Sequence, residues 1–232
     1  MNLATKVLNV ARMCPWPFRW LIVVLRSGLV PAAMSEHWFI TRLAPVVGLP
    51  ARQEQWVRTI MYMECAKMVA LLDPLRLNAL EISPGVWQFG SRFTFKSLRQ
   101  VDFPDFDICR DSLEESSFDL IIADQVFEHL LWPYRGGRNV YKMLKPGGHC
   151  LITTPFLIRV HESPTDCSRW TEVGLRHLLA ECGFPFDTIT TGSWGNRNCV
   201  IANFKRWAPM TMFTSLRNEP KFPVSVWALA RK

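Results

Sequence analysis

FDLIIADQVFEHL, residues 118–130, and MLKPGGHCLITTPF, residues 143–156, frame the stretch whose reading decides the fold. Each holds a short apolar run that ends in polar or small residues. A run of this length, bounded by turn formers, reads as a strand buried on both faces. Between the two strands, residues 134–144 read as a helix. It stops at Lys145-Pro146-Gly147-Gly148, a proline–glycine stop signal. Strand, helix, strand is the unit of an open α/β sheet, which places its ligands beyond the carboxyl ends of the strands.

The same alternation extends outward from this stretch. Strands are expected at 77–82, 98–103, 118–123, 149–154, 186–191 and 224–230, with a short one at 106–109. A helix is expected over 171–182, closed by Gly183. Upstream, residues 52–72 repeat Trp56, Ile60, Met63, Met68 and Leu71 at helical spacing, and Pro74 stops them. Residues 1–73 read as helices broken by prolines at 15, 17, 31, 45 and 50. The expectation is an α/β fold. A seven-stranded, mostly parallel sheet spans 74–232 with helices on both faces, behind an N-terminal helical extension over 1–73.

The 232 residues suit one domain with such an extension, and 49% hydrophobic content supplies a sizeable core. The net charge of +7 is uneven. Residues 1–60 hold seven Lys/Arg against two Asp/Glu, and 196–232 hold seven against one, so the middle is net acidic. Basic flanks attract anionic lipid or acidic ligands, and they also make an ordinary soluble surface. No Lys/Arg run exceeds two residues, which argues against nucleic-acid binding. The seven cysteines form no CxxC pair and no Cys/His metal spacing. They read as free thiols in a reducing cytoplasm, and no metal site is expected. WLIVVL at 20–25 is too short to span a bilayer or to serve as a signal-peptide core. Basic helices rich in Trp around it suit packing on their own core, contact with a membrane surface, or a homodimer.

Several residues at strand ends carry chemistry. Glu81 ends the first strand, and Ser83 and Gly85 follow in a small-residue turn that lets a ligand approach the backbone. Asp102, about twenty residues on, is an acceptor suited to a ribose diol, or else a turn residue before Pro104. Asp107 beside Ile108 pairs an acceptor for an exocyclic amine with an apolar cover for a ring, or is a strand-edge acid. Asp124 and Gln125 lie at the end of the 118–123 strand, with Glu128 and His129 just beyond. A histidine there is a candidate general base. HESPTDCSRWT, residues 161–171, gathers His161, Glu162, Asp166, Arg169 and Trp170 in one connection. Such density suits a substrate site, although Asp166 and Arg169 could equally pair with each other.

Together these residues resemble the class I S-adenosylmethionine-dependent methyltransferases, of the type 11 kind, over roughly residues 75–195. The resemblance implies a Rossmann-like fold that binds S-adenosylmethionine across the carboxyl edge of its sheet. It implies that Glu81, Ser83, Gly85, Asp102, Asp107, Ile108, Asp124 and Gln125 bind the cofactor. KFPVSVWALARK at 221–232 matches the family's antiparallel last strand. The first motif departs from the usual glycine pattern, with Ser83 and Trp87 where glycines are common. The implied activity moves a methyl group to a hydroxyl or amine of a small molecule. His129 and His161 are then the candidate catalytic groups, and Asp166, Arg169 and Trp170 bind the substrate. A non-catalytic cofactor-binding or scaffold protein on the same fold is the competing reading. Residues 1–73 would form a lid over the substrate or, equally, an ordinary helical cap.

Overall fold

A computed structural model describes residues 55–85, 89–162, 164–210 and 214–232. The 1–54 part of the expected cap, the 20–25 segment and Trp87 lie outside the described residues. Gln55 opens a compact unit that includes 55–210 and 214–232.

Six strands form one sheet. They are β1 (Asn78–Ile82), β2 (Ser97–Val101), β3 (Phe118–Asp124), β4 (Leu144–Pro155), β5 (Ile189–Trp194) and β6 (Ser225–Arg231), in the spatial order β2-β1-β3-β4-β6-β5. β1 pairs in parallel with β2 and β3, and β3 with β4. The last strand, β6, inserts antiparallel between β4 and β5. The chain leaves β1 for β2 on one side and returns to β3 on the other, so a crevice opens at the carboxyl ends of these strands. That is the ligand position of a doubly wound sheet.

The central strands β3, β6 and the second half of β4 are apolar because both faces are covered. Ile121, Ala123, Cys150 and Ile152 point into one buried cluster, where Val140, Met143, Leu175 and Leu178 supply helix contacts. Those helices are α2 (Pro133–Met143) and α3 (Glu172–Glu181). Leu120, Ile122 and Leu151 point to the other face, against α1 (Trp56–Ala70) and α4 (Arg197–Lys205). Alternate residues on β3 and β4 therefore meet opposite helical layers, as the pleat requires. Thr171 caps α3, its hydroxyl accepting from the Gly174 amide. Among the described residues, no helix is long and apolar enough to cross a membrane.

Three expectations need correction. Residues 106–109 form turns rather than a seventh strand. Their polar backbone groups are used locally. The Asp107 carboxylate accepts from the Cys109 amide at 2.9 Å, and Asp111 accepts from the Asp107 amide at 2.7 Å. Such Asx turns compete with a ladder. Likewise 186–188 is a short 3-10 turn, so the strand expected from 186 begins at Ile189. β4 begins earlier than expected, because Gly147 and Gly148 bond to the C-terminal residue. The Gly147 amide donates to the Lys232 carbonyl, and the Lys232 amide to the Gly148 carbonyl, each at 2.9 Å.

Asp119 on β3 anchors the opposite edge. Lys145 donates to both its oxygens at 2.9 Å, and the Asn78 amide donates at 2.9 Å. Burial by itself would raise this carboxyl, but the bonds from Lys145 and Asn78 outweigh it and hold it below its ordinary value. A depressed folded-state pKa contributes stability above the unfolded value and loses it as pH falls through the folded value. Asp119→Asn is therefore expected to cost about 1 kcal/mol at pH 7, as for one partly exposed charged bond. Urea melts at pH 7 and pH 3 check this, since the difference between variant and parent should shrink at pH 3.

Candidate functional site

At the carboxyl edge lies a cavity of about 840 Å³. Segments following β1, β2 and β3 line it, together with Arg58 of α1 and with His161, Pro164 and Thr165. Of the residues expected to bind a cofactor, Ser83, Gly85, Asp102, Asp107, Ile108, Asp124 and Gln125 line this cavity. His129 and His161 line it as well.

The turn after β1 keeps a glycine-like backbone despite its sequence. Ser83 and Gly85 have φ of +48° and +52°. This left-handed region is the one glycine reaches without steric cost. The Ser83 amide is fixed by the Val101 carbonyl at 2.7 Å, so β2 holds the turn in place. Glu81 does not line the cavity. It is fully buried, accepts from the Gly90 amide at 2.6 Å and from Gln100 at 2.7 Å, and so ties the loop after β1 to β2.

Asp102 is exposed at the end of β2, and one of its oxygens accepts from the Phe103 amide at 2.9 Å. Ile108 is buried beneath the cavity, and its carbonyl is held by Asn139 of α2 at 2.8 Å. A carboxylate for a diol and an apolar floor for a ring thus face one space, as a nucleoside requires.

Asp124 closes the inner wall. Its carboxylate accepts from the Tyr62 hydroxyl at 2.8 Å and from the Thr153 hydroxyl. Burial first, and then the charge of Asp124, push the Tyr62 phenol well above its ordinary range, so Tyr62 stays a donor. Arg58 donates to the Tyr62 oxygen at 3.1 Å and lines the cavity. Gln125, at φ +58°, bonds to Thr153 through its amide and its side chain. Sequence reasoning missed Arg58 and Tyr62, which arrive from a helix assigned to the cap. Their signal was a polar pair four residues apart, Tyr62 among the buried residues of the helix.

The outer rim is made by two segments far apart in sequence. Amides of Cys167 and Ser168 donate to the Glu128 carbonyl at 2.7 Å and 3.2 Å. The Thr165 hydroxyl donates to the His129 carbonyl at 2.8 Å, and the Thr165 carbonyl meets His129 Nδ1. The turn 127–129 and residues 165–168 are thereby laid together. His129 and His161 meet edge to face, with ring centres 5.1 Å apart, and His161 contacts Trp207 in the same manner at 5.5 Å. Glu128 lies beneath them with no exposure, its Oε1 3.7 Å from His129 Nε2. Burial pushes its carboxyl up to about 8.

Asp166, Arg169 and Trp170 do not line the cavity. Asp166 and Arg169 pair through two hydrogen bonds, one of them at 2.6 Å. Burial opposes ionisation of Asp166, but Arg169 and the His161 amide hold its carboxyl down at about 2. Asp166 Oδ2 accepts from the His161 amide at 2.8 Å and lies 3.4 Å from His161 Nδ1. Trp170 packs on the core around α3. Asp166 and Arg169 support the rim from behind.

Comparison with known proteins agrees with this architecture. A family model described as a methyltransferase domain matches residues 64–150. No protein of curated function matches the sequence significantly. Solved structures share the fold at low identity. A possible histamine N-methyltransferase from Thermotoga maritima is 13% identical, with a TM-score of 0.51 over 74% of this chain and 89% of that one. A putative sarcosine dimethylglycine methyltransferase from Galdieria sulphuraria is 14% identical, with a TM-score of 0.51 over 75% and 85%. Phosphoethanolamine N-methyltransferase 2 of Haemonchus contortus, in complex with S-adenosyl-L-methionine, is 12% identical, with a TM-score of 0.50 over 73% and 52%. The described residues therefore share the fold of S-adenosylmethionine-dependent methyltransferases, and residues 64–150 match the model of a methyltransferase domain.

Proposed function

We propose that this protein binds S-adenosylmethionine in the carboxyl-edge cavity and transfers its methyl group to a hydroxyl or amine of a small molecule. One observation carries the reading. A single cavity joins the left-handed Ser83–Gly85 turn, the Asp102 carboxylate, the Ile108 floor and the two histidines of the rim. When bound, the cofactor supplies a methyl group on positively charged sulfur.

The chain's own residues do the rest by orientation and exclusion of water. Asp102 holds the ribose, and Asp107 with Ile108 holds the adenine. Arg58 on the inner wall is the cation for the cofactor's carboxylate, steadied by Tyr62 and Asp124. His129 and His161 face the acceptor from the rim and act on its nucleophile. Asp166 and Arg169 support the substrate side through the main chain of His161.

Incubation of the full-length chain with radiolabelled S-adenosylmethionine and panels of hydroxyl and amine acceptors tests this. Label should move to a small-molecule acceptor, and His129→Ala should lower turnover about 100-fold, as for loss of a group acting on a proton. Unchanged turnover in that variant contradicts the assignment. A second reading, a non-catalytic cofactor-binding or scaffold protein, is favoured by Ser83 and Trp87 standing where the family has glycines. Cofactor binding without transfer to any acceptor would establish it.

A further inference from the structure

Glu128 is an unusual residue for the floor of a rim. It is fully buried, and neither of its carboxylate oxygens has a hydrogen-bond partner. A buried carboxylate without partners is costly, and proteins normally offset it with a proton, a donor or a metal ion. The groups above Glu128 are two imidazoles. One ligand atom from each of Glu128, His129 and His161 falls within 4.8 Å of the other two.

Two imidazole nitrogens and one carboxylate, gathered on one side of an open space, are the donor set of divalent transition-metal sites. Two ligands about 2.1 Å from a tetrahedral ion lie about 3.4 Å apart. His129 Nε2 and Glu128 Oε1, at 3.7 Å, are already close to that spacing. The His161 ligand atom lies within 4.8 Å of the other two, so it is the one that must move closer to complete the set.

The surroundings orient the His129 imidazole as a metal site needs, and an acidic group stands behind His161. His129 Nδ1 faces the Thr165 carbonyl, which fixes its proton there and leaves the Nε2 lone pair toward Glu128. His161 Nδ1 lies 3.4 Å from Asp166 Oδ2, and Arg169 holds that carboxylate in place. Oxygen acceptors behind histidines are the common outer support of metal ligands. Both histidines line the cavity, so an ion there keeps positions open to a ligand from solvent.

We propose that Glu128, His129 and His161 bind one first-row divalent transition-metal cation at the rim of the cavity. Two nitrogen donors favour Zn²⁺, Co²⁺, Fe²⁺ or Mn²⁺ over Mg²⁺ and Ca²⁺, which prefer oxygen-only sets. Resting on the methyl-transfer reading, the ion would take an oxygen of the acceptor as a further ligand. His129 and His161 would then act through the ion rather than as free bases.

The test is Co²⁺ titration of the full-length, chelator-stripped protein, read by visible absorption. One equivalent should bind, with d–d bands and displacement by Zn²⁺ but not by millimolar Mg²⁺. Glu128→Gln and His161→Ala should each weaken uptake about tenfold or more. His161→Ala, at the partly exposed rim, serves if the buried substitution fails to fold. No uptake by the parent protein, uptake unchanged in the folded variants, or a thiolate-to-cobalt band from a site such as exposed Cys167 would overturn the proposal. S-adenosylhomocysteine titration of the same samples separates the two readings. Cofactor binding without Co²⁺ uptake overturns the metal site alone, whereas Co²⁺ uptake without cofactor binding overturns the methyltransferase reading and leaves the site standing.

Discussion

Asp102→Ala is expected to weaken S-adenosylmethionine binding on the order of 100-fold while leaving the melting temperature nearly unchanged. The carboxylate stands exposed just past β2, and among the described residues its one hydrogen bond comes from the neighbouring Phe103 amide. Its removal leaves no buried group unpaired, so the fold loses little. The ribose diol, in contrast, loses its charged acceptor. Hydrogen bonds to a charged group contribute about 1.5–3 kcal/mol each, and about 2.8 kcal/mol is 100-fold in affinity. Calorimetric titration and thermal melts of the same sample separate the two effects. A variant that binds like the parent would remove Asp102 from the cofactor site.

Asp124→Ala is expected to act in the opposite way, through the fold first. Asp124 is 6% exposed and accepts from both Tyr62 and Thr153. Alanine would strand two buried hydroxyls and remove the anion nearest Arg58, which is tied to Tyr62. Breaking a buried charged network costs about 3–5 kcal/mol. For a chain of this size that lowers Tm by roughly 6–15 °C. Tyr62→Phe should cost less, since it removes one bond and keeps the carboxylate paired with Thr153. Melts of both variants check the ranking, and an Asp124→Ala variant as stable as the parent would contradict this account of the inner wall.

How much of this was legible in sequence follows from burial. β3 and the core of β4 are covered on both faces, so their apolar runs stand out, and β6 reads the same way. Residues 106–109 look equally apolar, but Asp107 and Asp111 capture the backbone and turn it. α4 escaped notice because its buried side includes Asn203, whose side chain bonds to the Cys199 carbonyl and to the Ala208 amide. The strand-end residues of the cavity were readable because parallel strands deliver their carboxyl ends to one edge. Long-range arrivals were not. Nothing local signals that Tyr62 meets Asp124, or that Cys167 and Ser168 bond to the Glu128 carbonyl. The metal-like grouping was hidden for the same reason, since His161 stands 32 residues beyond His129 and only the fold joins them.

The central claim is that the carboxyl-edge cavity holds S-adenosylmethionine. Isothermal titration of the full-length chain with the cofactor tests it most directly. Saturable one-to-one binding, strongly weakened in Asp102→Ala, is the predicted result. No binding by the folded parent protein at millimolar cofactor would contradict it.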